Sequence, residues 1–169
     1  MVKEEEGPRA LPEGSARRFS HGLRILVVES HSLVAAALSG LLAGPPLFAV
    51  VETVMDGDTA IARLDESAFE LVVCELSVLS WSALELMRRL AQLGLDVPVV
   101  LLSSAEEEQL LLDALTCGAT GFFTKDCGPD EFLDGLSSVM HGHYTVSKKL
   151  KPGVMARLTS AEKASAATR

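Results

Sequence analysis

The chain holds only three cysteines in 169 residues (Cys74, Cys117 and Cys127), an odd count with no Cys-x-x-Cys pair. That excludes a disulfide scaffold and points to a reducing, cytoplasmic compartment. No apolar run reaches membrane-spanning length, and the opening MVKEEEGPRALPEG is acidic rather than signal-like, so no membrane association is expected. His143 and the other histidines lack the spacing of a metal-binding set. There is no internal repeat and no low-complexity tract. No Gly- or Ser-rich loop able to cradle a phosphate follows the first apolar run, which removes a flavin-binding reading.

Basic charge is scarce where the chain is most apolar. Residues 23–146 carry five basic side chains against eighteen acidic ones, residues 147–169 carry six against Glu162 alone, and residues 1–22 carry four of each. The overall charge of −8 therefore divides into an acidic body and a basic tail. Such a tail can meet nucleic acid or another acidic partner, or it can lie against its own domain.

What remains is ample material for a core: 48% hydrophobic residues, 22% charged and a mean hydropathy of +0.28. Residues 1–22, with Gly7, Pro8, Pro12 and Gly14 among charges and no apolar period, read as a disordered leader. From Leu23 short aliphatic runs alternate with amphipathic segments. The runs are Leu23–Val28, Phe48–Val54, Leu71–Leu76, Val97–Ser103 and Gly121–Thr124, and the first four are rich in β-branched residues, as parallel strands buried on both faces should be.

Between the runs, Ser32–Ala43 carries Leu33, Ala36, Ala37 and Leu41 and stops at Gly44-Pro45-Pro46. Asp58–Asp65, Ser82–Leu93, Glu106–Cys117 and Pro129–His141 complete five strand–helix units. This alternation predicts an α/β, flavodoxin-like, doubly wound sheet of five parallel strands in the order 2-1-3-4-5, with helices on both faces. The domain is expected over 23–146, with 147–169 as a basic tail or linker.

In such a sheet chemistry gathers at the carboxyl ends of the strands. Glu29, Ser30 and His31 follow the first strand, Glu75 ends the third, Ser103 ends the fourth and Lys125-Asp126 follows the fifth. An acid, an acid, a hydroxyl and an ammonium thus converge on one edge. That spacing, with the segments ILVVESHSLV, ELVVCELSVLSWSALELMRRL, VPVVLLSS and ATGFFTKDCGPDEF, resembles a bacterial response-regulator receiver domain over residues 23–146. The Lys125-Asp126 pair and Gly142-His143-Tyr144 are similar to its NarL/FixJ branch.

The resemblance implies roles, and the sequence departs from them at the decisive positions. The family's two magnesium-holding aspartates fall on Glu29 and Ser30, and its phosphoacceptor aspartate falls on Glu75. The hydroxyl and lysine positions are kept as Ser103 and Lys125, while the aromatic switch position is Phe122, which has no hydroxyl. Leu79 and Ala83 replace the usual proline and glycine after the acceptor.

Magnesium demands near-ideal octahedral oxygen geometry. A serine in place of one carboxylate, and one extra methylene on each remaining acid, spoil that geometry. Phosphoryl transfer rests on positioning, and a misplacement of about 1 Å can cost on the order of 10²-fold in rate. The expectation is a pseudo-receiver without ordinary aspartyl phosphorylation, with no cofactor, no metal expected at the degenerate pair Glu29 and Glu75, and no enzymatic activity.

For Glu75 two readings stand: its longer side chain imitates a phosphoryl oxygen toward Lys125 and Ser103, or it forms an ion pair with Lys125 that only satisfies two partly buried charges. For the domain, rival functions are a phosphorylatable receiver served by a sensor kinase and a domain whose altered pocket binds a small ligand.

Other residues have plainer readings. His31 is expected to cap or line a loop, Cys74 and Cys117 to pack, Cys127 to stay unactivated, and Trp81 to pack its loop or anchor a partner. Leu110–Leu112 with Phe122 and the last helix suggests an apolar patch, and the resemblance implies homodimerisation through a receiver face. Arg157-Leu158-Thr159-Ser160-Ala161-Glu162 resembles the opening of a LuxR-type helix-turn-helix. Seven residues remain after Glu162, too few for a DNA-reading unit, so DNA contact and transcriptional control are expected only through an output domain beyond this chain.

Overall fold

In the computed structural model, which describes residues 22–78, 81–104 and 118–156, the β-branched runs form strands. In chain order these are β1 (Arg24–Val28), β2 (Val50–Val54), β3 (Leu71–Glu75), β4 (Ser77–Val78), β5 (Trp81–Ser82), β6 (Val99–Ser103), β7 (Gly121–Thr124) and β8 (Thr145–Val146). The main sheet runs β2-β1-β3-β6-β7-β8 with every neighbouring pair parallel. Its five longer strands have the winding the sequence predicts. The sequence reading missed β8, a two-residue edge, and the antiparallel β4–β5 hairpin. Neither is long enough to show an apolar period.

Four described helices cover the sheet: α1 (Ser32–Ala43), α2 (Gly57–Glu66), α3 (Ala83–Leu93) and α4 (Pro129–Met140). Their starts follow local chemistry. Asp56 caps α2 by accepting from the Thr59 N–H at 2.8 Å, and Ser82 caps α3 by accepting from the Glu85 N–H at 3.4 Å. Pro129 sits in the first turn of α4, where a missing N–H costs nothing. α3 ends at Gly94 in the left-handed conformation (φ +67°). The helix expected over 106–117, with Leu110–Leu112 and Cys117, and also Leu79, lie outside the described residues.

Alternation along the strands divides the core in two. Leu26, Val28, Val72, Cys74, Leu101 and Phe122 pack with residues of α2 and α3, whereas Ile25, Val27, Leu71, Val73, Leu102 and Phe123 pack with α1 and α4. Phe123 meets Phe132 of α4 edge to face, with centroids 5.2 Å apart.

Three expectations change here. Phe122 is fully buried rather than part of a surface patch. α1 buries Ala35 and Leu42, and leaves Leu33 82% exposed, because every position of this helix is apolar or small and the period gives no unique face. Phe48 precedes β2 in a turn of positive φ instead of opening the strand.

Trp81 is half-buried, with its ring against the start of α2: a Cβ on Gly57 would lie 2.2 Å from the indole Cδ2. Packing is thus the reading the structure favours. Overpacking of this kind costs about 1–3 kcal/mol. Gly57→Ala is expected to lower the thermal midpoint by about 5 °C, and the loss should shrink in a Trp81→Leu background. Equal losses in both backgrounds would show that the indole is not the obstacle.

Residues 147–156 lie against the domain. The Ser147 N–H donates to the Phe122 carbonyl at 2.8 Å, the Lys148 N–H donates to Glu131 Oε1 at 2.6 Å, Lys149 pairs with Asp126, and Leu150 and Val154 are buried. Of the two uses weighed for the basic tail, its first ten residues take contact with their own domain.

Candidate functional site

Four adjacent parallel strands end on one edge, and each delivers one polar group. Glu29 follows β1, its N–H held by the Val54 carbonyl at 3.0 Å. Glu75 is the last residue of β3 and Ser103 the last of β6. Lys125 follows β7, its N–H bound to the Ser103 carbonyl at 2.9 Å. Strands stand about 4.8 Å apart, so the lysine must extend back over the end of β6 to reach the carboxylates.

It does so. The Lys125 ammonium donates to Glu75 Oε1 and lies 2.9 Å from Glu29 Oε2. The Glu29 contact is an ion pair without hydrogen-bond alignment. Both acids are buried, Glu29 to 1% exposure, while the lysine side chain keeps 23%.

The second oxygen of Glu75 is also engaged. Ser30 Oγ donates to Glu75 Oε2 at 2.8 Å, and the Ser30 N–H approaches the same atom at 3.4 Å. Burial pushes the Glu75 carboxyl up, but the hydrogen bonds from Lys125 and Ser30 outweigh it, and the group is held below the usual carboxylate range. Burial likewise opposes the charge on Lys125, yet its bonds to Glu29 and Glu75 raise it above an ordinary lysine. The cluster is a self-neutralised triad of two carboxylates and one ammonium, steadied by a serine hydroxyl.

Of the site residues expected from sequence, the structure brings Glu29, Ser30, Glu75 and Lys125 into one bonded cluster. Ser103 stands at the same edge, but its hydroxyl is fully buried without a hydrogen-bond partner among the described residues. Glu75 therefore reaches Ser30 rather than Ser103. Phe122 lies in the core beneath the edge and lines nothing.

His31 was undervalued by the sequence reading. It stands at the N-cap position of α1 but makes no side-chain cap. Its Nδ1 is 2.9 Å from Glu29 Oε1 and 3.5 Å from Glu75 Oε1, and its N–H donates to Glu29 Oε1 at 2.8 Å. Its position two residues after the first strand-end acid was the available signal. Cys74 and Cys127 have thiols pushed up by burial, which makes them poor nucleophiles.

The receiver resemblance implies magnesium, and the residues present do not fit it. Glu29, His31 and Glu75 have ligand atoms within 4.8 Å of one another. An imidazole with two carboxylates is not the all-oxygen octahedral set magnesium prefers. The decisive obstacle is Lys125, whose ammonium lies against both carboxylates where a cation would have to sit.

A groove of about 150 Å³ beside the site is lined mainly by apolar groups, among them Val34, Leu38, Leu102 and Phe132. It is smaller than pockets that enclose drug-sized ligands, about 300 Å³ and upward. No described helix is long and apolar enough to cross a membrane.

Comparison with known proteins agrees with this geometry. The family model described as response regulator receiver domain matches residues 25–137. Among curated proteins, the transcriptional regulatory protein UhpA of Escherichia coli is 30% identical over 120 residues, covering 71% of this chain and 60% of its own length. The nitrate/nitrite response regulator protein NarL of the same species is 25% identical over 134 residues, covering 79% and 62%. The chain thus spans about 60% of the length of these relatives. Among solved structures, a LuxR-family two-component response regulator from Aurantimonas superposes with a TM-score of 0.74 at 20% identity, covering 82% of this chain and 99% of that one.

Proposed function

The chain belongs to the receiver-domain family of response regulators, on its NarL/FixJ branch, and from that premise we propose that it is a pseudo-receiver, a regulatory module of two-component signalling that works without ordinary aspartyl phosphorylation. The observation that carries this reading is the placement of Lys125. Its ammonium binds Glu75, at the acceptor position, together with Glu29, at the first acidic position. A phosphodonor would meet a carboxylate whose two oxygens are already spent on Lys125 and Ser30, in a site whose cation position is taken by a side chain.

Of the two roles weighed for Glu75, its contacts favour the ion pair. Imitation of a phosphoryl oxygen would engage the Ser103 hydroxyl, and Glu75 turns to Ser30 instead. The domain, residues 23–146, then acts through association. Homodimerisation and control of a transcriptional output domain beyond this chain, with no enzymatic step of its own, complete the proposal. Lys148, Lys149 and Lys151 connect the domain to such a unit.

The test is intact mass after incubation with acetyl phosphate and magnesium. No adduct is expected on the native protein. An adduct of one phosphate mapping to Glu75 would overturn the reading and make the protein a phosphorylatable receiver.

A further inference from the structure

We infer that the outer face of α1, the turn that follows it and the edge strand β2 form the surface on which a second copy of this chain docks. The inference rests on the association reading above and gives it a place.

Three observations coincide there. First, residues 32–51 are twenty consecutive positions without a charged side chain. α1 is the one helix among those described that carries neither acid nor base. A helix apolar all round is ordinarily covered on every side, yet Ala36, Ala37, Gly40 and Ala43 are exposed and Leu33 is 82% exposed.

Second, Phe48 is 70% exposed and adopts φ +47°, a conformation that bulky residues rarely take. Its N–H is tied to the Gly44 carbonyl at 2.9 Å, and its neighbours Leu47 and Ala49 are buried. The turn therefore anchors both flanks and holds the ring outward. Strain of this kind persists where the surroundings impose it, and it gathers at functional positions.

Third, β2 is an open edge whose Val50 is 59% exposed, whereas the opposite edge of the sheet is closed by β8 and the segment to residue 156. An exposed apolar edge strand is a template for another chain.

Charge selects the occupant. Residues 23–146 hold eighteen acids against five bases, so two copies repel one another over most approaches. The uncharged face is where that repulsion is least, and a copy of the same face brings no charge that would have to be desolvated. A two-fold arrangement sets Leu33 and Phe48 of each protomer against the small-residue surface of the other, as an isologous contact requires.

Sedimentation equilibrium of the full chain across a concentration series, at about 0.05 M and about 0.5 M salt, tests the inference. The expected result is a reversible dimer that is unchanged or tighter at high salt, because screening weakens the acidic repulsion. Ala37→Glu and Val50→Lys, both at exposed positions, should each weaken the dimer at least about tenfold. Leu93→Glu, at an exposed apolar position on α3, should leave it intact, with circular dichroism confirming that every variant folds.

A monomer at all concentrations, a dimer that loosens with salt, or one that survives Ala37→Glu and Val50→Lys would overturn the inference. Mass spectra of the same samples separate it from the pseudo-receiver reading. A phosphate adduct on an intact dimer sinks only the latter, and an unmodified monomer sinks only the former.

Discussion

A Lys125→Met protein is expected to melt about 10 °C below the native protein near pH 7, and to recover part of that loss near pH 5. The argument is electrostatic. Methionine keeps the stem and deletes the ammonium, leaving Glu29 and Glu75 buried side by side with no counter-charge. Removing one partner of a buried pair costs about 3–5 kcal/mol, and the partial exposure of Lys125 places this case near the lower figure. The variant's escape is to protonate one carboxyl, which becomes easier as pH falls, so acid restores stability that neutral pH denies it.

The native protein should respond with the opposite sign. The folded Glu75 carboxyl lies below its ordinary value, so its contribution is complete above about pH 4.3 and is lost as pH falls through the folded value. The folded Lys125 lies above its ordinary value, so its contribution is complete below about pH 10.4 and is lost as pH rises through the folded value. The triad thus supports a stability plateau between those limits. Melting curves from acid to neutral pH check both claims, and a variant that tracks the native protein across that range would show the triad to be energetically idle.

How much of this was legible beforehand divides by the physics of each feature. The five long strands and their winding were readable because period and β-branching report burial on both faces, as Val72, Val73, Val100 and Leu101 illustrate. The site was readable as a set of strand-end positions, since topology alone fixes which residues share that edge. Its bonding was not. Whether Glu75 turns to Ser103 or to Ser30 depends on rotamers and on distances of a few tenths of an ångström, which spacing does not encode. His31 was missed for a related reason: a histidine two residues past a strand end has no signature separating a loop residue from a carboxylate partner. The exposed side of α1 was hidden by its own composition, because a helix apolar at every position has no period to read.

Restoring the lost aspartates should restore phosphorylation. A Glu29→Asp, Ser30→Asp, Glu75→Asp triple variant is expected to gain one phosphate from acetyl phosphate, dependent on magnesium, where the native protein gains none. Each shortened carboxylate withdraws its oxygens by about one bond length, roughly 1.5 Å, so Lys125 can no longer bind both acids at once. The space between them then admits a hydrated cation, and the third carboxylate at position 30 supplies the all-oxygen set magnesium prefers. The same change removes the Ser30 hydroxyl that occupies Glu75 Oε2, freeing an acceptor oxygen for in-line attack on phosphorus. Lys125 and Ser103, unchanged at the ends of β7 and β6, are then available to the transferred group. The single Glu75→Asp variant, still lacking the third carboxylate, should stay below the triple variant by on the order of 10²-fold in rate. Equal rates in the two would mean that Glu75 alone, not the degenerate cation pocket, silences this receiver; no adduct on either would place the block in groups outside the triad.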